Sequence, residues 1–192
     1  EMMLAMLFSS MMMISVAAMY PELQRQSMDM YRLYRLEQSM RQVLLTLEKD
    51  MRRAGFLFSN GQSSVSPTNS IYLGAHAQAS ANSCIIIQYD LNHNGTIDSP
   101  QSSAAEQFGY RWLNDVIEQA RGVENCNGSG WDKLLDQSEI IITQFHVELI
   151  GGNKLPPATE SYYFIALEGH WKRWPHLKRR LTSRIREMNK NA

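Results

Sequence analysis

With 192 residues, the chain is long enough for one ordinary domain with its own core, plus an appendage. Lys and Arg number 19 and so do Asp and Glu, so the formal charge is zero. No global field directs the molecule to nucleic acid or to an anionic surface. The balance hides an asymmetry: Met2 to Met19 carries no charge, while Lys and Arg crowd the C-terminal tail.

The opening run, MMLAMLFSSMMMISVAAM, is uncharged and mostly apolar. As a helix it spans roughly 27 Å, close to the ~30 Å hydrocarbon thickness of a bilayer. Ser9 and Ser10 can return their hydroxyls to the helix backbone, so they do not veto insertion. A membrane span or anchor is therefore favoured over a retained signal peptide or a buried core helix. No Lys or Arg precedes the run, and Ser15-Val16-Ala17-Ala18 is only a passable cleavage sequence. Met11-Met12-Met13 reads as flexible apolar packing rather than a metal pathway.

Tyr20-Pro21 predicts a kink or short break, because proline removes a helix hydrogen bond. Helical character then continues to about Ala54. Leu33, Leu36, Met40, Val43, Leu47, Met51 and Ala54 form an apolar stripe, and Gly55 is a natural cap. An element of this length cannot be buried within one domain. Its first half needs lipid or other chains, and its second half packs on the residues C-terminal to it.

After a Ser/Gly/Pro/Asn loop at 60–69 come strand-like runs. They are Ser70–Gly74, Cys84–Asp90, Phe108–Leu113, Val116–Ala120, Ile140–Ile150 and Tyr162–Trp171. Asn114-Asp115 supplies a tight turn, and the close spacing favours an antiparallel sheet. In the basic tail, Leu177, Leu181, Ile185 and Met188 fit a helical stripe, while Leu181–Asn189 fits an edge strand equally well. The expected architecture is α+β. An anchor covers 1–20, an amphipathic helix 21–54 and a β-rich part 55–192, with the long helix packed through its second half on the sheet.

Cys84 and Cys126 are the only cysteines, an even pair beyond a membrane segment. That suggests an oxidising compartment and a disulfide, and closing such a loop is worth roughly 4 kcal/mol. The segment DLNHNGTID resembles the front of a calcium loop. Asp90, Asn92 and Asn94 alternate, Gly95 gives a sharp turn and Thr96 offers a carbonyl. Gln101 stands where a closing glutamate is usual, so Asp98 or Glu106 would have to supply the missing oxygen. An Asx-rich turn needs the same residues, and both readings stay open.

Enzyme signatures are absent from the sequence. His76, His93, His146, His170 and His176 show no metal-ligand spacing. There is no nucleophile elbow, phosphate loop or dinucleotide fingerprint, and Gly128-Ser129-Gly130 reads as a turn. The expectation is a non-enzymatic chain with no certain cofactor, calcium excepted.

Glu1 followed at once by the apolar helix, its continuation LEQSMRQVLLTLEKDMRRAGF and the sheet region after it together resemble the type IV pilin superfamily. Five further segments narrow the resemblance. LEKDMRRAGF, SCIIIQYDLNHNG, EQFGYRW, NCNGSGWDKL and EIIITQFHVEL, in that order, look like the minor pilins called prepilin-peptidase-dependent protein B. Those are similar to the J-type minor pseudopilins of type II secretion. The resemblance implies a minor subunit of a tip complex that starts pilus assembly, or alternatively a pseudopilus subunit. It further implies an inner-membrane anchor with a periplasmic domain, contacts to other minor and major pilins through the helix, and no nucleic acid. Prepilin peptidase would cut and methylate the leader, which is expected to lie upstream of this chain. Glu1 would be the anchor glutamate that pairs with an N-terminal amine and fixes register between protomers. A carboxylate in lipid costs on the order of 3 kcal/mol unless paired. The resemblance also favours a strand for the C-terminal segment. From a different class, a membrane-tethered periplasmic binding or sensor module would use the same anchor.

Overall fold

The computed structural model of the protein describes residues 2–58, 70–151 and 161–186. Helix α1, Met2–Arg53, has 52 residues and is roughly 78 Å long. It passes through Pro21 without interruption, so the expected break is not present. The proline ring sacrifices one hydrogen bond, and the turns on either side keep the helix going. Gly55 adopts a left-handed φ of 74°, which ends the helix and lets its N–H donate to the Gln88 carbonyl.

Among the described residues, eight strands come after the helix. They are β1 (Ile71–Gly74), β2 (Cys84–Gln88), β3 (Gln107–Leu113), β4 (Val116–Arg121), β5 (Asp132–Lys133), β6 (Ile140–Ile150), β7 (Tyr162–Trp171) and β8 (Lys178–Ile185). Each pair is antiparallel, as the short connections require. The strands divide into two sheets, β1-β2-β3-β4-β5 and β6-β7-β8, where the sequence suggested one. Backbone bonds from Ile142 to Asp115 and from Val147 to Asn82 stitch the sheets together, and Trp112 Nε1 donates to the Ile142 carbonyl at 2.9 Å.

One core lies between α1 and both sheets. Leu36, Met40, Val43, Leu44, Leu47 and Met51 meet Ile85, Ile87 and Tyr110 of the first sheet and Val147, Ile165 and Leu167 of the second. Strand β2 is covered on both sides. Ile85 and Ile87 face the helix core, while Cys84 and Ile86 face a smaller cluster with Ala120, Val123 and Cys126. This double burial explains its unbroken CIII run. Cys84 and Cys126 form a disulfide that fastens the start of β2 to the loop after β4.

In β6 the inward residues are Ile140 and Ile142, then Phe145 and Val147. The change of parity comes from a bulge between Ile142 and Gln144. Gly169 of β7 pairs with Ile142 there, and a Cβ on it would come within 2.9 Å of the Ile141 carbonyl oxygen.

Candidate functional site

Among the described residues, the first part of α1 packs against no other element. Its apolar segment has mean hydropathy 2.0 and none of it is buried against the rest of the chain. Exposure is all round: Leu4, Phe8, Met11, Met12, Met13 and Ile14 are each at least 60 % exposed. Ser9, Ser10 and Ser15 donate their hydroxyls to carbonyls of the preceding turn, so no polar hydrogen in this stretch is left unsatisfied on their account. The helix is long and apolar enough to serve as a single-pass membrane anchor. Glu1 lies outside the described residues.

From Leu36 onward the same helix is cemented to the β-rich part. Trp171 Nε1 donates to the Arg32 carbonyl at 2.8 Å, and Ser183 donates to Glu48 at 2.5 Å. Arg35 pairs with Glu139 and Arg179 with Glu37. The helix therefore cannot move independently of the sheets. Any pull on the anchor is transmitted to the domain along one continuous rod.

The loop at 90–106 brings the six calcium-candidate residues together and uses them internally. Asp90 is buried. Its Oδ2 accepts from the Phe58 N–H at 3.1 Å and the Gly95 N–H at 2.8 Å, and its Oδ1 from the Asn94 N–H at 3.1 Å. Glu106 is fully buried and accepts from the N–H groups of Leu91, Asn92 and Asp98. Asn94 Oδ1 accepts from both the Thr96 N–H and the Thr96 hydroxyl, and Asp98 accepts from the amides of Asn92 and Asn94. Among the described residues, no group of three His, Cys, Asp or Glu is placed to share a metal ion. The two buried carboxylates act as anionic cores for the turn, each gathering backbone donors that a strand-to-strand loop would otherwise leave unpaired.

Burial acts to raise the Asp90 pKa, but the N–H groups of Phe58, Gly95, Asn94 and His93 outweigh it and hold the carboxyl below its usual value. A depressed folded-state pKa stabilises the protein above the unfolded value of about 4, and that stabilisation is lost as pH falls through the folded value. Asp90→Asn is expected to destabilise the protein by about 1–3 kcal/mol at pH 7, with or without calcium. It should also flatten the loss of stability below pH ~4. Urea midpoints from pH 7 down to 2, in calcium and in chelator, measure both effects.

Three groups important to the site were not anticipated from sequence. Asp50 sits inside the apolar stripe of α1 and binds Tyr89 and Tyr110. Arg111 and Glu118 form a buried pair at 2.8 Å. Trp171 and Trp174 pack edge to face where the second sheet meets α1. Only Asp50 left a signal, as a charged residue three positions after Leu47 on the buried face.

A family model described as prepilin peptidase-dependent protein B matches residues 29–187. This chain belongs to the prepilin peptidase-dependent protein B family. The match begins at Asp29, where α1 first reaches the domain, and ends just past β8. A relative from Escherichia coli K12, itself named prepilin peptidase-dependent protein B, is 32% identical over 148 residues, covering 77% of this chain and 73% of the relative. An uncharacterised protein of Haemophilus influenzae is 27% identical over 186 residues, covering 74% of this chain and 75% of its own. No solved structure matches. Membership in the prepilin peptidase-dependent protein B family agrees with an apolar anchor helix and a disulfide-bonded α+β domain.

Proposed function

We propose that the chain is a minor pilin, a structural subunit of the tip complex that primes type IV pilus assembly, and that it catalyses nothing. The observation carrying this reading is the division of labour along α1. Its apolar first part is not buried against any other described residue, and its later part, from Leu36, is packed on the β-rich region. Such a subunit can wait in a bilayer and then exchange lipid for the matching helices of other pilins without rearranging its domain. The name of the Escherichia coli relative supports prepilin peptidase as the processing enzyme here. The disulfide supports an oxidising, periplasmic side for the domain.

Glu1 is proposed to set register, because a neighbour displaced along the helix would leave its carboxylate unpaired in lipid. Glu1→Ala should insert into membranes at wild-type levels, yet pili per cell should fall about tenfold, the equivalent of losing ~1.4 kcal/mol of subunit coupling. Counting pili and assaying secretion at matched membrane levels measures this. Normal pilus numbers in a strain lacking the protein altogether would sink the function. Normal numbers with Glu1→Ala alone would sink only the register role.

A further inference from the structure

Strand β8 turns its two faces to different surroundings. The inward positions are taken up by α1 and the core. Arg179 pairs with Glu37 at 3.3 Å, Ser183 donates to Glu48 at 2.5 Å, and Ile185 is buried with Leu181 packed against the same cluster. The outward positions, Lys178, Arg180, Thr182 and Arg184, are all exposed. Three of these four are cations, and the β7–β8 hairpin offers a single acid, Glu168, opposite Arg180.

The edge of the strand is long and regular. Its eight residues pair with β7 in unbroken register, with no proline, glycine or bulge among them. Among the described residues β8 pairs with β7 alone, so its other edge meets no strand. Short length, proline or a bulge commonly discourages pairing at such an edge. Here charge alone does so, and charge of one sign is selective. A second copy of this chain, in either orientation, would set its own cations beside Lys178, Arg180 and Arg184, and adjacent like charges are destabilising. An acidic strand meets the opposite condition: it finds backbone groups to pair with and cations to match.

Two other anionic partners suit the edge less well. Strand β8 runs alongside α1 from Arg179 at Glu37 to Ser183 at Glu48. Those helix positions lie roughly 24 and 40 Å along the axis from Pro21, whereas headgroups reach only ~5–8 Å beyond the hydrocarbon. A bilayer around the anchor therefore does not touch this edge. A nucleic acid would use the cations and leave the edge carbonyls unpaired.

We propose that β8 takes an extended acidic segment of another protein as a fourth strand of the second sheet, with carboxylates at alternate positions beside Lys178, Arg180 and Arg184. This pairing requires neither the anchor nor an assembly role. The test uses the full chain in nonionic detergent and a fluorescein-labelled octapeptide that alternates Glu and Thr. One control has the same residues as a block of Glu followed by a block of Thr, and the other is a short DNA duplex with the same label. Anisotropy should show the alternating peptide binding about fivefold more tightly than the blocked one. Backbone amides within 178–185 should exchange hydrogen more slowly when the alternating peptide is added. Arg180→Gln and Arg184→Gln alter exposed side chains, and each should weaken that peptide about threefold. Absence of binding, equal binding of the two peptides, or unchanged exchange in 178–185 overturns strand addition. A preference for the duplex, or full affinity in both variants, overturns the choice of an acidic protein segment.

Discussion

Replacing Arg111 with alanine is expected to destabilise the protein by about 3–5 kcal/mol. Arg111 is 7% exposed and its partner Glu118 9%, so neither charge has much recourse to water. Nε donates to Glu118 Oε2 at 2.8 Å across the β3–β4 pair. Nη1 donates to the carbonyls of Cys126 at 2.8 Å and Gly128 at 3.0 Å. The guanidinium also lies 4.3 Å from the Trp131 ring centre. One side chain thus holds the Cys126–Trp131 loop against the sheet beside the disulfide. Truncation strands a buried carboxylate and two carbonyls together. Arg111→Lys keeps the charge but cannot aim separate donors at both sites, so it should recover less than half of the loss. Urea unfolding of the full chain in nonionic detergent, monitored by far-UV circular dichroism, gives the numbers. A loss below about 1 kcal/mol would mean that the pair behaves as an exposed one.

The periods involved decide which features are legible in the sequence. The stripe from Leu33 to Ala54 steps by threes and fours, which only a helix satisfies, and from Leu36 to Met51 it is the buried face of α1. Strands β6 and β7 were legible to the residue because Gly, Pro or polar clusters bound them. The tail was ambiguous for a definite reason. Leu177, Leu181 and Ile185 are spaced by four, and that spacing suits one helix face and one strand face alike. The structure chooses β8, with Leu181 and Ile185 opposite Leu167 and Tyr163. Met188 lies outside the described residues. Strand β5 has only Asp132 and Lys133, too few for any pattern. The split into two sheets depends on contacts between residues far apart in sequence, such as Trp112 with Ile142. Residues 90–106 connect β2 to β3, and composition alone cannot distinguish carboxylates that gather N–H groups from carboxylates that gather a cation. Arg111 and Glu118 look like ordinary alternating strand charges, and only the disulfide loop folding over them makes them buried.

Asp50→Ala should cost a similar amount, about 3–5 kcal/mol, for a different reason. Asp50 lies on the buried face of α1 and is 7% exposed. Its Oδ2 accepts from the Tyr110 hydroxyl at 2.5 Å and its Oδ1 from the Tyr89 hydroxyl at 3.0 Å. Tyr89 lies just past β2 and Tyr110 within β3, so one carboxylate ties the helix to two points of the first sheet. Alanine would leave both phenols in the core without an acceptor. Asp50→Asn keeps an oxygen for one of them and should lose roughly half as much. The alkaline limb tests the charge directly. Burial first, and then the Asp50 carboxylate, push Tyr89 up to about 12 and Tyr110 higher still. A raised folded-state pKa stabilises below the unfolded value of about 10, and that contribution disappears as pH rises through the folded value. Wild-type stability should therefore decline from pH ~10 upward. In Asp50→Asn the two phenols lose the neighbouring negative charge. Their ionisation, read at 295 nm, should then start nearer the ordinary tyrosine value, and the alkaline decline should be shallower. Identical tyrosinate titrations of wild type and Asp50→Asn would show that burial alone raises these groups. The carboxylate would then be a hydrogen-bond acceptor only, with no part in the pH response.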